Sequence, residues 1–288
     1  MEHLKISVCV TIKNESKETV NALLDSLNSQ TLKPDEIIVI DANDYDNCSR
    51  SKGRNIAIGK ARNEIIAITD AGCVPHNNWL ANLAIPLAHL GGARAHPRGV
   101  LTVVAGGYEM VTSNHFQETC KMFLGVSTKD MKSDFMPSAR SMAFTKSIWK
   151  KAGGFLEKLG NTAEDTVFNL QLLKAGAKFV VAKNAIVDWQ MPDSIFEFTR
   201  KIFNYAKGDA ESGIWWHPVK KFQTHNIKIL TIFLRYILFI IFPLLIPLYL
   251  IYAYTKAGLW GILLQFTSDF ACIIGFSHGL LQTSFRRN

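Results

Sequence analysis

Three residues able to hold hydroxyls, N–H groups or a hard cation stand just past the ends of three successive apolar runs. Asn14 follows residues 6–11, Asp41 follows 37–40, and Asp70 follows 64–69. Asp and Asn are also ordinary turn formers, so one such residue says little. Three in succession point to a shared crevice, because parallel strands present their ligands at their carboxyl ends. A further pair, Glu164-Asp165, heads a segment with Val167, Leu170 and Leu173 on one side. There the acids complement a helix dipole, with Thr162 placed to cap it.

The elements that would position these groups alternate. Short apolar strands are expected at 6–11, 37–40, 64–69, 100–105, 142–145 and 178–181. Helical spacing is expected at 17–29, 52–61, 79–90 and 163–174. The tract 91–99 reads as a loop, and 115–135 shows no strong period. Apolar strands separated by helices predict an α/β fold with a mostly parallel central sheet covered by helices.

The chain has 288 residues, 48% of them hydrophobic and only 19% charged, which excludes a disordered polymer. Lys and Arg outnumber Asp and Glu by 32 to 24, giving a net charge of +8 and favouring anionic partners. The basic residues are dispersed rather than interleaved with aromatics, and no nucleic-acid-binding signature is present, so nucleic acid is not an expected partner. No GxGxxG follows the first strand and there is no GxxxxGK[ST], which removes dinucleotide-binding and P-loop readings. Cys9, Cys48, Cys73, Cys120 and Cys272 form no CxxC pair and read as buried thiols.

The last quarter of the sequence differs in kind. Tyr236 to Thr255 carries no charge, and as one helix it would cover about 30 Å, the thickness of a hydrocarbon core. A weaker apolar stretch, 259–281, holds Gln265, Asp269 and His278. Together they predict a C-terminal transmembrane helical hairpin, with a buried soluble helix as the alternative for the second stretch. Lys220, Lys221, Lys228, Arg235, Arg286 and Arg287 flank the pair, against Lys256 alone in the turn. That bias places both flanks on the cytoplasmic side of the cell membrane, as a multi-pass protein touching anionic lipids. The expected organisation is a domain at 1–214, an interfacial linker at 215–228 and a two-helix membrane anchor at 229–288.

Four segments, in order, resemble the family 2 glycosyltransferases, which have the GT-A fold. These are SVCVTIKNES, EIIVIDANDYD, GRNIAIGKARNEIIAITDAG and NTAEDTVFNLQLLKAG. The resemblance covers residues 4 to about 215. It implies that Asn14, Glu15 and Asp41 hold the base and ribose of a nucleotide, a role that suits Asp41 because a carboxylate accepts from a base N–H or a ribose hydroxyl. It implies that Arg54 contacts phosphate, with Arg50, Lys52 and Lys60 as competitors. Lys207 falls in a stretch similar to the family's basic element near the diphosphate.

The family's Asp-x-Asp motif reads Asp70-Ala71-Gly72 here, so the second carboxylate is missing. The resemblance implies Mg2+ or Mn2+ held at Asp70 with the diphosphate, and one carboxylate with phosphate oxygens and waters can still hold such an ion. Asp165 is the expected catalytic base.

The reaction implied is inverting transfer of a sugar from a nucleotide-diphosphate sugar to a hydroxyl of a lipid-linked or surface-glycan acceptor. Transfer to a polyprenyl phosphate is the alternative within enzymes. A non-catalytic sugar-nucleotide- or glycan-binding subunit is the alternative outside them.

Overall fold

Residues 6–12 are almost entirely apolar and buried, so the strand they form must be covered on both faces. It is β1 (Ile6–Ile12), and it lies between β2 (Glu36–Asp41) and β3 (Ile65–Asp70), parallel to both. The computed structural model describes residues 4–89, 101–125, 128, 131–132, 135–159, 162–216 and 225–285. The 91–99 loop, His217, Lys220, Lys221, Arg286 and Arg287 lie outside the described residues.

The remaining strands are β4 (Cys73–Pro75), β5 (Leu101–Val111), β6 (Met142–Thr145) and β7 (Ala177–Gln190). Among the described residues the seven form one sheet in the order β2-β1-β3-β6-β5-β7-β4. The sheet is mixed rather than mostly parallel. β6 runs antiparallel to both β3 and β5, and β4 antiparallel to β7, while β5 and β7 are parallel. β5 and β7 are also much longer than their apolar cores. Charged and polar residues such as Lys183, Asn184 and Asp188 interrupt the pattern on β7 without ending the strand.

Helices α1 (Lys17–Asn28), α2 (Arg50–Lys60), α3 (Trp79–His89), α5 (Lys146–Ala152) and α6 (Glu164–Lys174) complete the first of two compact units, formed by 1–111 and 127–190. Its core gathers Ile58, Ile66, Ile68, Met142, Ile148 and Leu172 around Phe144, Phe155 and Phe168. Phe155 stacks on Phe168 with centroids 4.0 Å apart, and each buried ring contributes about 2–3 kcal/mol. All five cysteines are buried and free, and burial pushes the Cys9 thiol up to about 12, as expected of inert thiols.

The second unit comprises 112–126 and 191–288. It holds α4 (His115–Leu124), α7 (Ile195–Ser212), α8 (His225–Ile241) and α9 (Leu245–Phe285). Residues 191–214, expected to belong with the first domain, group here. α4 was not legible as a helix. It is capped by Asn114, whose Oδ1 accepts from Gln117 N at 2.9 Å, and Gln117 Nε2 ties it to Asp193 Oδ1 at 2.5 Å.

The expected span from Tyr236 to Thr255 is not one helix. α8 stops at Ile241, before Pro243, which brings no N–H and clashes with the preceding turn. α9 is itself interrupted by non-helical dihedrals at Ala257 and Gly258, the latter left-handed at φ 60°. The chain reverses there: a Cβ on Gly261 would sit 2.2 Å from Ala253 O, and the Tyr249 and Phe266 rings lie 6.2 Å apart. After the reversal α9 runs along α7, with Gly275 and Gly279 against the carbonyls of Phe203 and Lys207. One segment, Leu245–Thr283, is long and apolar enough by composition to cross a membrane, and this break divides it.

Gly106 sits where β5 shifts register between its neighbours. Beside it, Ser141 Oγ accepts from buried Trp79 Nε1 at 2.9 Å and donates to Ala185 O at 2.9 Å. A Cβ on Gly106 would lie 1.9 Å from that hydroxyl and 2.6 Å from the Ala185 carbonyl. Gly106→Ala is therefore expected to destabilise the fold by about 2 kcal/mol or more, measured as a lower urea midpoint.

Candidate active site

The ladder register brings the strand-end acids to one edge of the sheet. Asp41 is level with Ile12 and Asp70 with Thr11, so the two flank the end of β1 about 10 Å apart. Beyond β1 the chain turns through Asn14, which is exposed and left-handed at φ 67°, a conformation Asn tolerates better than most residues. Glu15 accepts from Lys13 N and from Arg50 Nη2, the latter at 2.5 Å, which ties this turn to α2. Asp41 Oδ1 accepts from Asn43 N at 2.8 Å and caps a short 3-10 turn, Ala42–Asp44. Turn forming and site placement thus coexist at Asp41.

α2 approaches β1 closely because Gly53 lacks a side chain. A Cβ there would lie 2.3 Å from Thr11 Cγ2. The next residue, Arg54, enters the interior and is only 4% exposed. Its Nη2 donates to Asp70 Oδ1 at 2.6 Å and its Nη1 to Glu164 Oε1 at 2.8 Å. The guanidinium carbon also stands 5.5 Å from the Phe155 ring centre. One side chain therefore joins the end of β3 to the start of α6, and its charge-assisted bonds are directed at carboxylates rather than at open solvent.

Asp165 begins α6 beside Glu164. The helix is not capped by Thr162. Its N-cap is Ala163, left-handed at φ 65° and without a side-chain hydrogen bond. A non-glycine residue held there costs on the order of 1 kcal/mol, and the surrounding structure fixes it. Asp165 Oδ1 accepts from Thr166 N at 2.7 Å, which orients the half-buried carboxylate at the helix start.

The electrostatics follow from burial and three arginines. Burial raises the Asp70 carboxyl, but Arg54, Arg140 and Arg50 outweigh it and hold Asp70 below the ordinary carboxylate range. Burial and the neighbouring Asp165 hold Glu164 above that range against the pull of Arg54. Burial alone would lower Arg54; its two carboxylates reverse that and keep it charged.

Arg140 carried no recognisable sequence signal, being a lone basic residue between elements. It stands 3.9 Å from the Trp189 ring centre and 5.2 Å from that of Tyr108, while contributing to the field at Asp70. Lys207 lies on α7 in the second unit, 3.8 Å from Glu211.

The donor set at Asp70 is a poor fit for a protein-held Mg2+ or Mn2+. There is one carboxylate, 27% exposed, with Oδ1 already bound to Arg54. Gly72 stands where a second carboxylate would be, in open space, since a Cβ there meets nothing within 4 Å. Among the described residues, the acidic and histidine side chains grouped closely enough to share an ion are His76, Glu109 and Asp188, which do not include Asp70.

Removing the guanidinium would strand two buried acids. Arg54→Met is expected to cost about 3–5 kcal/mol at pH 7. The sign of its pH dependence follows from linkage. In the wild type, Asp70 stabilises fully above its unfolded value near 3.9, and this is lost as pH falls through the lowered folded value. Glu164 acts oppositely, with its contribution present below about 4.3 and lost as pH rises through the raised folded value. In Arg54→Met both acids rise, so the deficit should shrink between pH 7 and pH 4.5 in urea titrations. A deficit independent of pH would show that packing, not charge, carries the effect.

No protein-family model matches the chain, and no curated protein matches it. Among solved structures it is similar to S. aureus TarS. The fragment TarS 1-349 aligns with TM-score 0.50 at 16% identity, covering 78% of this chain and 69% of that one. A longer TarS aligns with TM-score 0.48 at 18% identity, covering 78% of this chain and 42% of TarS, so the chain spans less than half of that protein's length. The same fragment in complex with UDP-GlcNAc aligns with TM-score 0.48 at 16% identity, covering 78% of this chain and 70% of that one. The likeness to TarS 1-349 establishes a shared fold.

Proposed function

We propose that the protein is a family 2-like GT-A glycosyltransferase that moves a sugar, with inversion, from a nucleotide diphosphate to an acceptor hydroxyl. The observation that carries the reading is the Arg54 bridge, which fixes the strand-end edge holding Asp70 to the helix start holding Asp165. Donor binding at one end and proton removal at the other require such a fixed separation.

In this reading the base and ribose sit against Asn14, Glu15 and Asp41; Asp41 Oδ1 holds Asn43 N, and its second oxygen would accept from a base N–H or a ribose hydroxyl. Arg54 serves the donor through Asp70, which it holds in place, rather than by touching phosphate itself. Asp165 takes the proton of the acceptor hydroxyl as its oxygen bonds to the anomeric carbon. The bond from that carbon to the diphosphate breaks on the opposite face, and the nucleoside diphosphate leaves. Arg140 is a candidate to balance the leaving charge. No step is routed through a divalent ion.

UDP-GlcNAc is the first donor to try, because TarS 1-349 has been solved with it. The exposed apolar surface of the second unit favours association with a membrane and a lipid-linked acceptor, with the protein facing the cytoplasm as its basic flanks direct.

Release of UDP from UDP-GlcNAc, with and without a polyprenyl-linked acceptor, measures the activity. Asp165→Asn is expected to lower turnover by about 10^2–10^4-fold while leaving donor binding within about twofold. Gly72→Asp, which has room for its side chain, should make turnover more dependent on Mn2+. Unchanged turnover in Asp165→Asn would remove the assignment of the base.

A further inference from the structure

The apolar run between Arg235 and Lys256 folds back on itself. α8 ends at Ile241, and the turn at 242–244 is closed by Leu245 N donating to Phe242 O at 2.9 Å and Ile246 N to Pro243 O at 3.0 Å. The two limbs return to each other: Phe239 and Tyr249 have ring centres 5.3 Å apart, and the Arg235 guanidinium stands 4.9 Å from the Tyr249 ring centre. At this base Arg235 is ion-paired with Asp269, which also accepts from Tyr236 Oη at 3.2 Å and from Gln265 Nε2 at 3.1 Å. The polar cluster pins the base of the excursion to α9.

Beyond the base, the tip is apolar and uncovered. Ile240 is 80% exposed and Leu244 82%, with Ile241, Phe242 and Leu248 exposed beside them. Such a cluster demands a cover. The six-residue limb Tyr236–Ile241 gives about 9 Å of helix, and Leu245–Thr255 gives about 16 Å before Lys256. Neither reaches the roughly 30 Å of a hydrocarbon core, whereas both fit within one leaflet. After the reversal at Gly258, α9 packs along α7, which carries Lys201, Lys207, Asp209 and Glu211, and a helix stacked on that charged neighbour is not placed to span lipid.

We propose that residues 236–255 form a wedge that enters a single leaflet of a bilayer, with Arg235 and Lys256 both at the headgroup level of the same face. Tyr236, Tyr252 and Tyr254 lie along its rim, where aromatic residues with a polar tip are favoured, and Lys256 stands 4.3 Å from the Tyr252 ring centre. The absence of charge between two basic residues, and the match of limb length to a leaflet, select lipid over a protein groove. The proposal rests on the membrane association inferred above, not on the transfer reaction, and it replaces a two-span anchor by a monotopic one.

The test uses the full chain added from outside to sealed vesicles of three parts phosphatidylcholine to one part phosphatidylglycerol. Flotation should carry the wild type with the vesicles, and Leu244→Asp, at a position with no packing role, should weaken that partition by about tenfold or more. In Lys256→Cys, a membrane-impermeant maleimide added outside should label the new thiol fully, since the native thiols are buried. In Leu244→Cys the thiol should be shielded until detergent is added. A shielded Lys256→Cys on floating vesicles would overturn the wedge in favour of a span, while membrane association stands. Failure of the wild type to float, with a dimer seen by light scattering, would overturn both and make the apolar tip a contact between copies.

Discussion

A guanidinium buried among hydrophobic rings cannot lose its proton, and it cannot be left without counter-charge. Arg54 meets this constraint by reaching Asp70 and Glu164 at once. The two acids are far apart in sequence, one ending a strand and the other starting a helix. Because an uncompensated buried charge is costly, losing either contact is penalised, and the arginine thereby holds the two acids to one separation. Gly53 makes this possible by letting α2 lie against Thr11, and Phe155 closes the guanidinium from solvent. The edge built from Asn14, Asp41 and Asp70 and the helix start at Asp165 are thereby parts of one assembly within the first unit.

Strand ends were the most legible part of the fold. β1 and β3 are buried along nearly their whole length and β2, at the sheet edge, is half-buried; each shows as a short apolar run closed by a polar residue, and their bounds fall within a residue or two of expectation. β7 was read as four residues because Lys183 and Asn184 interrupt the apolar pattern; the strand runs through them, and its far half, with Ala185, Val187 and Trp189 buried, pairs with β4 and β5. The sense of β6 was illegible for a related reason. Period and composition do not record direction, and its antiparallel pairing makes the sheet mixed.

At the site, residue types were legible and their partners were not. Arg54 stood out because it lies where the resembled family places a phosphate-contacting basic residue, but nothing local announces a carboxylate contributed from Glu164. Arg140 gave no signal because its neighbours are rings from β5 and β7, distant in sequence. Asp269 was likewise isolated in the sequence. Its partner Arg235 lies on another helix, and only the reversals at Pro243 and Gly258 bring the two together. The break at Pro243 also explains why the uncharged run Tyr236–Thr255, long enough for a span, is not a continuous helix.

The central claim is that the edge organised by Arg54 is a nucleotide site. Calorimetric titration of the detergent-solubilised protein with UDP, GDP and dTDP, each with and without Mn2+, tests it most directly. The account predicts one-site binding of UDP that survives without Mn2+ and is lost in Asp41→Ala. Absence of binding by all three nucleotides to a folded sample would contradict it.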